Sequence, residues 1–444
     1  MTHKTLDEYL KQTTPTTTKQ HTTKPKYKIT GFYKETQFQE TPIGKIPKQW
    51  KIVKLGSLFT FRNGKRPSRI LENDMVPIYG ANGIMGYTNT ALLDRDYVII
   101  IGRVGASGKV HLARGKIWVS DNAIYSESYD RNRIYPIFAY FFLSFINLER
   151  YASKTTHPII KQSFLKELEI PLPPLEEQWG IAEVLSSVDE AIEATERLIG
   201  RLERLKRGLM QELLTKGIGH REYKQTQIGR IPKEWQVVKL GDVAKIDTKA
   251  VTPKPGVKYY YIGLEDIESD TGRLLKHPED LIDGSEIRST KYYFTANHVL
   301  YGKLRPYLNK VTLPPRDGIC STDILPILPN TRAILREYLA YVLLHPRFVS
   351  YATARMRGTN HPRVNPREIL RYEFPLPPID EQKIIVETLL VLNKWIETEK
   401  RRKEKLERLK RGLMELLLTG RVRVRVERLD GEENLPGSGG GAGS

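Results

Sequence analysis

The stretch IGRVGASGKV at 101–110 gathers three glycines, a serine and two cations into ten residues. A triphosphate-binding loop needs Gly-x-x-x-x-Gly-Lys followed by a hydroxyl that holds magnesium. Here Gly102 to Gly108 is one residue too long, and Val110 stands where the hydroxyl belongs. Nucleotide hydrolysis is therefore not expected. Backbone N–H groups flanked by Arg103 and Lys109 can still approach a phosphodiester, and a tight hairpin turn is the plain alternative.

Other catalytic signatures fail in the same way. The nine histidines are dispersed, no two closer than sixteen residues, so no helical metal-binding pair exists. One cysteine, Cys320, excludes an internal disulfide and a cysteine-rich zinc site. Neither G-x-S-x-G nor H-E-x-x-H occurs, and the proline-rich triplets lack the Asn and the aromatic of a base-methylation motif. The pair Glu265-Asp266 sits in only one half of the chain and has no convincing lysine partner for a nuclease centre. The chain is expected to be non-catalytic and to bind no metal or cofactor of its own.

Charge points elsewhere. Lys and Arg number 71 against 52 Asp and Glu, a net charge of +19. Such a surplus suits a polyanion, nucleic acid first and an anionic membrane second. Hydrophobic content of 39% and charged content of 28% are those of a soluble globular protein, and 444 residues allow two or three domains. The longest apolar run, 134–146, is too short to cross a bilayer. A polar, Thr-rich N-terminus unlike a signal peptide and a single cysteine point to the cytoplasm.

Candidate DNA contacts follow from basic loops. FRNGKRPSR at 61–69 offers Lys65, Arg66 and Arg69, and DTKAVTPKPGVK at 247–258 offers Lys249 and Lys254. Arg and Lys bind phosphates and reach guanine edges, although such loops are often merely solvated. Asn82, in YGANGIMGY, could read adenine or simply make an Asn-Gly turn. Lys303 and Arg305, in HVLYGKLRPYL of the second unit, are further basic candidates. THPIIKQSFLKEL at 156–168 aligns with NHPRVNPREIL at 360–370. That alignment pairs His157 with His361, each a buried structural histidine or a base contact, beside Lys161, Gln162, Asn360 and Arg363.

Repeats show what must position these residues. LERLKRGLM occurs unchanged at 202–210 and 406–414, PLPPLEEQ at 171–178 returns as PLPPIDEQ at 375–382, and IGKIPKQWKIVKLG at 43–56 returns as IGRIPKEWQVVKLG at 228–241. From the first block to the proline motif is 128 residues in one half and 147 in the other. Two variable globular units are thus each followed by a similar segment. That segment reads as a helix with an apolar stripe at steps of three and four: Ile181, Leu185, Val188, Ile192, Leu202 and Leu209, then Ile385, Leu389, Leu392, Ile396, Leu406 and Leu413, with Leu409 also on it. Each helix could pack on its own domain. About 35 residues span about 50 Å, more than one small domain requires, so helix pairing is favoured. Thr195 and Ile199 are replaced by Glu399 and Lys403 in the second copy, either a polar seam that fixes register or a solvated bulge. DRDYVIIIGRVG, KIWVSDNAIY and KYYYIGLEDI read as strands; IYPIFAYFFLSFINLERYA and REYLAYVLLHPRFVSYA read as helices.

The IGxIPxxWxxxxLG openings, the PLPP transitions to EQ and the RLKRGLM helix ends, each present twice and in order, resemble those of type I restriction–modification specificity subunits over residues 33–426. The resemblance implies an α+β fold with two target-recognition domains in tandem, each followed by a long helix, the helices pairing as an antiparallel coiled coil. Expected boundaries are a low-complexity mobile segment at 1–27, domains at 28–170 and 218–374, helices at 171–217 and 375–422, and a linker-like tail at 423–444. It also implies that each domain reads half of an asymmetric DNA target. The helices would set the gap, at most about 15 base pairs for 50 Å and reduced by tilt to about half. Two methyltransferase and two restriction subunits would dock, carrying S-adenosylmethionine, ATP and magnesium. The contrasting readings are a stand-alone DNA-modifying or cleaving enzyme and a coiled-coil scaffold that does not touch DNA.

Overall fold

The structure, a computed structural model, describes residues 27–72, 75–153 and 158–429. It divides into two compact units, one made of 1–194 with 404–444 and the other of 195–403. The sequence reading put the two domains one after the other; the structure returns the chain's C-terminal part to the first unit.

Unit 1 is built on a six-stranded sheet whose order is Phe59–Asn63, Ala123–Tyr129, Leu93–Gly102, Val110–Val119, Val76–Gly80 and Gly83–Thr88. The run VIII at 98–101 lies at its centre and is fully buried. Successive side chains point to opposite faces. Ile99 and Ile101 therefore join the main core beneath helix Pro136–Phe145, while Val98 and Ile100 pack with Ala113, Ile117 and Tyr125 on the other side. Burial on both faces explains an unbroken apolar run.

Unit 2 keeps the plan with shorter strands. Ala244–Ile246, Ile324–Pro329, Val299–Gly302 and Val311–Thr312 form one four-stranded sheet, and Ala250–Val251, Lys291–Phe294, Gly318–Cys320 and Tyr261–Ile262 form another. The apolar stretch read as one helix splits into Arg336–Leu344 and Pro346–Ala354. Pro346 forces the break because it has no N–H to donate back, and His345 caps the new helix by accepting from Arg347 N at 3.1 Å.

The repeated motifs meet one another within each unit. The strand after the tryptophan pairs with the strand before the double proline: Lys51–Lys54 with Glu169–Leu172, and Gln236–Lys239 with Glu373–Leu376. Buried Gln178 accepts from Tyr135 N at 2.8 Å and donates to the carbonyls of Arg133 and Pro173, each at 2.9 Å. Gln382 repeats this with Leu335 N, Ala333 O and Pro377 O. One amide thus satisfies an orphan donor at a helix start and two turn carbonyls. The neighbouring glutamates accept from the motif tryptophans, Glu177 from Trp50 at 3.1 Å and Glu381 from Trp235 at 2.8 Å.

The long helices are Leu175–Lys216 and Ile379–Leu418, each followed closely by a glycine with positive φ, Gly217 and Gly420. In unit 1, Ile181, Leu185, Leu417 and Leu418 are core residues, with Leu413 packed against them; Val188 is buried, and Ile192 and Leu406 are half-buried. In unit 2, Ile385 and Leu389 join the main core, and Leu202, Leu392 and Ile396 form a satellite cluster that Leu209 touches. Leu409 departs from the expected stripe and is 50% exposed. The polar departure is not a solvated bulge. Thr195 and Glu399 are buried, and Lys403 pairs with Glu196 at 2.9 Å.

The C-terminal reading needs correction. The second long helix ends at Leu418 rather than 422, and Val422–Arg428 is a strand, not tail, antiparallel to Tyr27–Lys34. Arg423, 2% exposed, pairs with Glu177 at 2.5 Å and with Glu35 at 2.5 Å. Burial opposes its charge, but the hydrogen bond and charge of Glu177 and the hydrogen bond to Glu35 outweigh this and raise its pKa. Val424 and Val426 cover Gly180, where a Cβ would collide with both. Local pattern showed only alternating Val and Arg; a partner strand nearly four hundred residues away was invisible to it.

Candidate nucleic-acid interface

In unit 1 the loops at one end of the six-stranded sheet bring candidate residues together. Gly102 ends a strand and brackets the loop 103–109 by donating to Lys109 O at 2.8 Å. Gly108 has φ +86, and a Cβ there would strike the backbone of Leu148 and Glu149, so only glycine fits. Arg103 N donates to Asn122 O, and its Nη1 to Asp121 O at 3.2 Å. Lys109 Nζ donates to Asn82 Oδ1 at 2.6 Å. Lys65 N donates to Val119 O, and Trp118 Nε1 to Lys65 O at 2.8 Å. Residues 158–162 close the group: Val104 bridges Ile159, Ile160 N donates to Arg103 O, and Gln162 donates to Phe61 O.

Lys65, Asn82, Arg103, Lys109, Lys161 and Gln162 thus belong to one loop cluster, and Arg66 and Arg69 extend it on an exposed loop. His157 lies outside the described residues. His111, which contacts Ala81 O at 3.2 Å, and Trp118 belong to the same cluster. Neither was legible in the sequence, because only the tertiary fold brings the 80–83 turn to His111 and Lys65 to Trp118.

Unit 2 repeats the frame. Gly302 N donates to Lys310 O at 2.8 Å, Lys303 N to Asp323 O at 2.9 Å, and Val364 N to Lys303 O at 3.1 Å; Leu304 bridges Arg363. The correspondence runs Arg103 to Lys303, Asn122 to Asp323 and Ile159 to Arg363. Arg305 N donates to Pro362 O at 2.7 Å, and its Nη2 to Asn360 O at 3.4 Å. Glycines supply positive φ in the first loop, whereas Arg305 and Asn309 adopt it here, at 48° and 47°. A left-handed arginine costs about 1–2 kcal/mol; the backbone of Arg305 is held by Pro362 O and Leu308 N, and Asn309 is held by donating to Asp270 and to Leu344 O.

Lys303, Arg305, Asn360, His361 and Arg363 therefore sit together. His361 is exposed, which removes its reading as a buried structural histidine. Arg363 pairs with Asp323 through two hydrogen bonds, Nε to Oδ1 at 2.7 Å and Nη2 to Oδ2 at 2.9 Å. The arginine's hydrogen bond and charge hold the Asp323 carboxyl below its ordinary pKa. Lys249 lies over the Tyr293 ring at 5.3 Å, and Lys254 belongs to the turn against Gly284. Among the described residues no hydrogen bond or ion pair joins those two to the Lys303 group. Asp323 and exposed Tyr307 are members that sequence reasoning missed. Among the described residues no three His, Cys, Asp or Glu side chains are grouped to hold a metal ion, and no helix is long and apolar enough to cross a membrane.

The comparisons agree with this doubled arrangement. The sequence pattern of the type I restriction modification DNA specificity domain matches residues 47–204 and again 232–408. The MjaVIII specificity subunit of Methanocaldococcus jannaschii, a type I restriction enzyme component, is 28% identical over 426 residues, covering 89% of this chain and 98% of that protein. The EcoDI specificity subunit of Escherichia coli is 26% identical over 381 residues, covering 80% and 84%. A crystal structure of a type I restriction-modification S subunit from M. genitalium shares the fold with a TM-score of 0.59 at 17% identity, covering 83% of this chain and 96% of that one. With two copies of one recognition pattern spanning most of its length, the chain belongs to the type I restriction–modification DNA specificity family.

Proposed function

We propose that each unit reads one half of an asymmetric, two-part duplex target through the loops at the end of its sheet. Sequence recognition is the family's role. One observation supports its division between the units: a shared backbone frame carries Arg103, Asn122 and Ile159 in one unit and Lys303, Asp323 and Arg363 in the other. Equivalent positions with different donors and acceptors favour different bases.

The long helices act as an antiparallel coiled coil whose length sets the gap between half-sites. In unit 2, Glu196 pairs with Lys403 and Glu203 with Lys400; in unit 1, Asp189 pairs with Lys410. Partner numbers fall as helix position rises, as antiparallel pairing requires. The duplicated helix ends offer two similar docking surfaces to two methyltransferase subunits, and two restriction subunits complete the complex. S-adenosylmethionine, ATP and magnesium are used by those partners, the present chain contributing no catalysis, and assembly takes place in the cytoplasm.

Modified-base sequencing of DNA methylated by the assembled complex tests this. Exchanging residues 57–170 for those of a relative with different specificity should alter one half of the motif and spare the other. Changes in both halves would overturn the division of labour. Methylation or cleavage by the isolated chain would overturn the non-catalytic role.

A further inference from the structure

We infer that Arg363 reads a guanine within the half-site of unit 2, with Asp323 as the positioning residue that aims it. The inference rests on the recognition role proposed above and assigns a base to one side chain. An arginine carries five N–H donors. Three are engaged here: Nε with Asp323 Oδ1, Nη2 with Asp323 Oδ2, and Nη1 with the His361 carbonyl at 3.1 Å. One N–H therefore remains on each of Nη1 and Nη2, and we assign these as the end-on pair of the fork.

Two parallel donors on a planar group match the O6 and N7 acceptors that guanine alone presents in the major groove. Adenine offers N7 beside a donor, and thymine one acceptor beside a methyl group, so neither accepts both hydrogens. The group is held yet accessible: the Arg363 side chain is 44% exposed and that of Asp323 22%. Its backbone is fixed by the bridge to Leu304 and by Val364 N on Lys303 O. Lys303 and Arg305 flank it with positive charge suited to phosphates.

A solvated surface ion pair would look similar in one unit taken alone. The comparison between units separates the two readings. The equivalent frame in unit 1 carries Ile159 and Asn122, so the fold tolerates the loss of both charges without losing the bridge or the backbone bonds. What changes between the units is the group offered to a ligand.

The test selects sequences from a randomised duplex library with the full chain bound to the methyltransferase subunits of its own system. Wild type should require a G·C pair at one position of one half-site. Arg363→Gln should lower that preference by about 5- to 150-fold, the discrimination of one bidentate contact, and leave every other position unchanged. Arg363→Lys should retain part of the preference, and Asp323→Asn should weaken it at the same position only. Should Arg363→Gln fail to fold, the Lys and Asn variants test the same statement. Reduced overall binding with unaltered base preference in these variants would overturn the inference and leave the recognition role standing. A wild-type complex without any sequence preference would overturn both.

Discussion

Glu177 and Glu381 occupy equivalent places, and each receives an indole N–H from the motif tryptophan of its unit. Their second partners differ: Arg423 for Glu177 and His220, at 2.7 Å, for Glu381. The equivalent carboxylate thus meets a permanent cation in one unit and an imidazole in the other. A second histidine gives a pH prediction. His345 accepts from Arg347 N through Nδ1, while its Nε2 is buried without a partner among the described residues. Burial, aided by the charge of Arg347, lowers its pKa to about 4. An unfolded histidine titrates near 6.5, so between these values the unfolded chain binds more protons. Stability from this group is complete above about pH 6.5 and declines as pH falls towards 4, by up to about 3 kcal/mol. Asparagine at 345 keeps an acceptor for the cap and should flatten that limb in denaturant titrations from pH 7 to 4; an unchanged limb would assign it to other groups.

At the scale of elements, the C-terminal strand has a role that its Val-Arg alternation disguises. Val422–Arg428 pairs with Tyr27–Lys34, covers the first long helix at Gly180 and delivers Arg423 to Glu177. A chain ending at Arg421 should leave Glu177 buried without its cation, a change that costs about 3–5 kcal/mol. Hydrogen exchange should then rise in strand 27–34 and around Trp50, while strands 299–302 and 324–329 of unit 2 keep their protection. Equal deprotection of both units would contradict the assignment of this strand to unit 1 alone.

For the whole molecule, the net charge of +19 bears on DNA affinity through phosphate contacts. Duplex binding should weaken steeply with salt, as counterions released from phosphates are restored. Lys65 is exposed on its loop. Lys65→Ala should reduce the slope of log K against log salt by about one and leave base preference unaltered, measured by titration from 50 to 200 mM salt. A changed motif would make Lys65 a base reader instead.

Much of this organisation was already written in the residue order. The duplicated IPxxW, PLPP and RLKRGLM blocks defined two units and two helices, because a repeat preserves spacing whatever surrounds it. The apolar stripe picked out the buried helix face, since a 3.6-residue period is a local property. Lys65, Asn82, Arg103 and Lys109 were found by type alone. Their convergence, and the exclusion of Lys249 and Lys254 from the Lys303 group, came from strand pairing between distant segments. Asp323 looked like any loop acid until the 321–324 turn met residue 363. The closing of unit 1 by strand 422–428 was likewise decided in three dimensions: one strand reveals neither its partner nor its register until both sit on a common core.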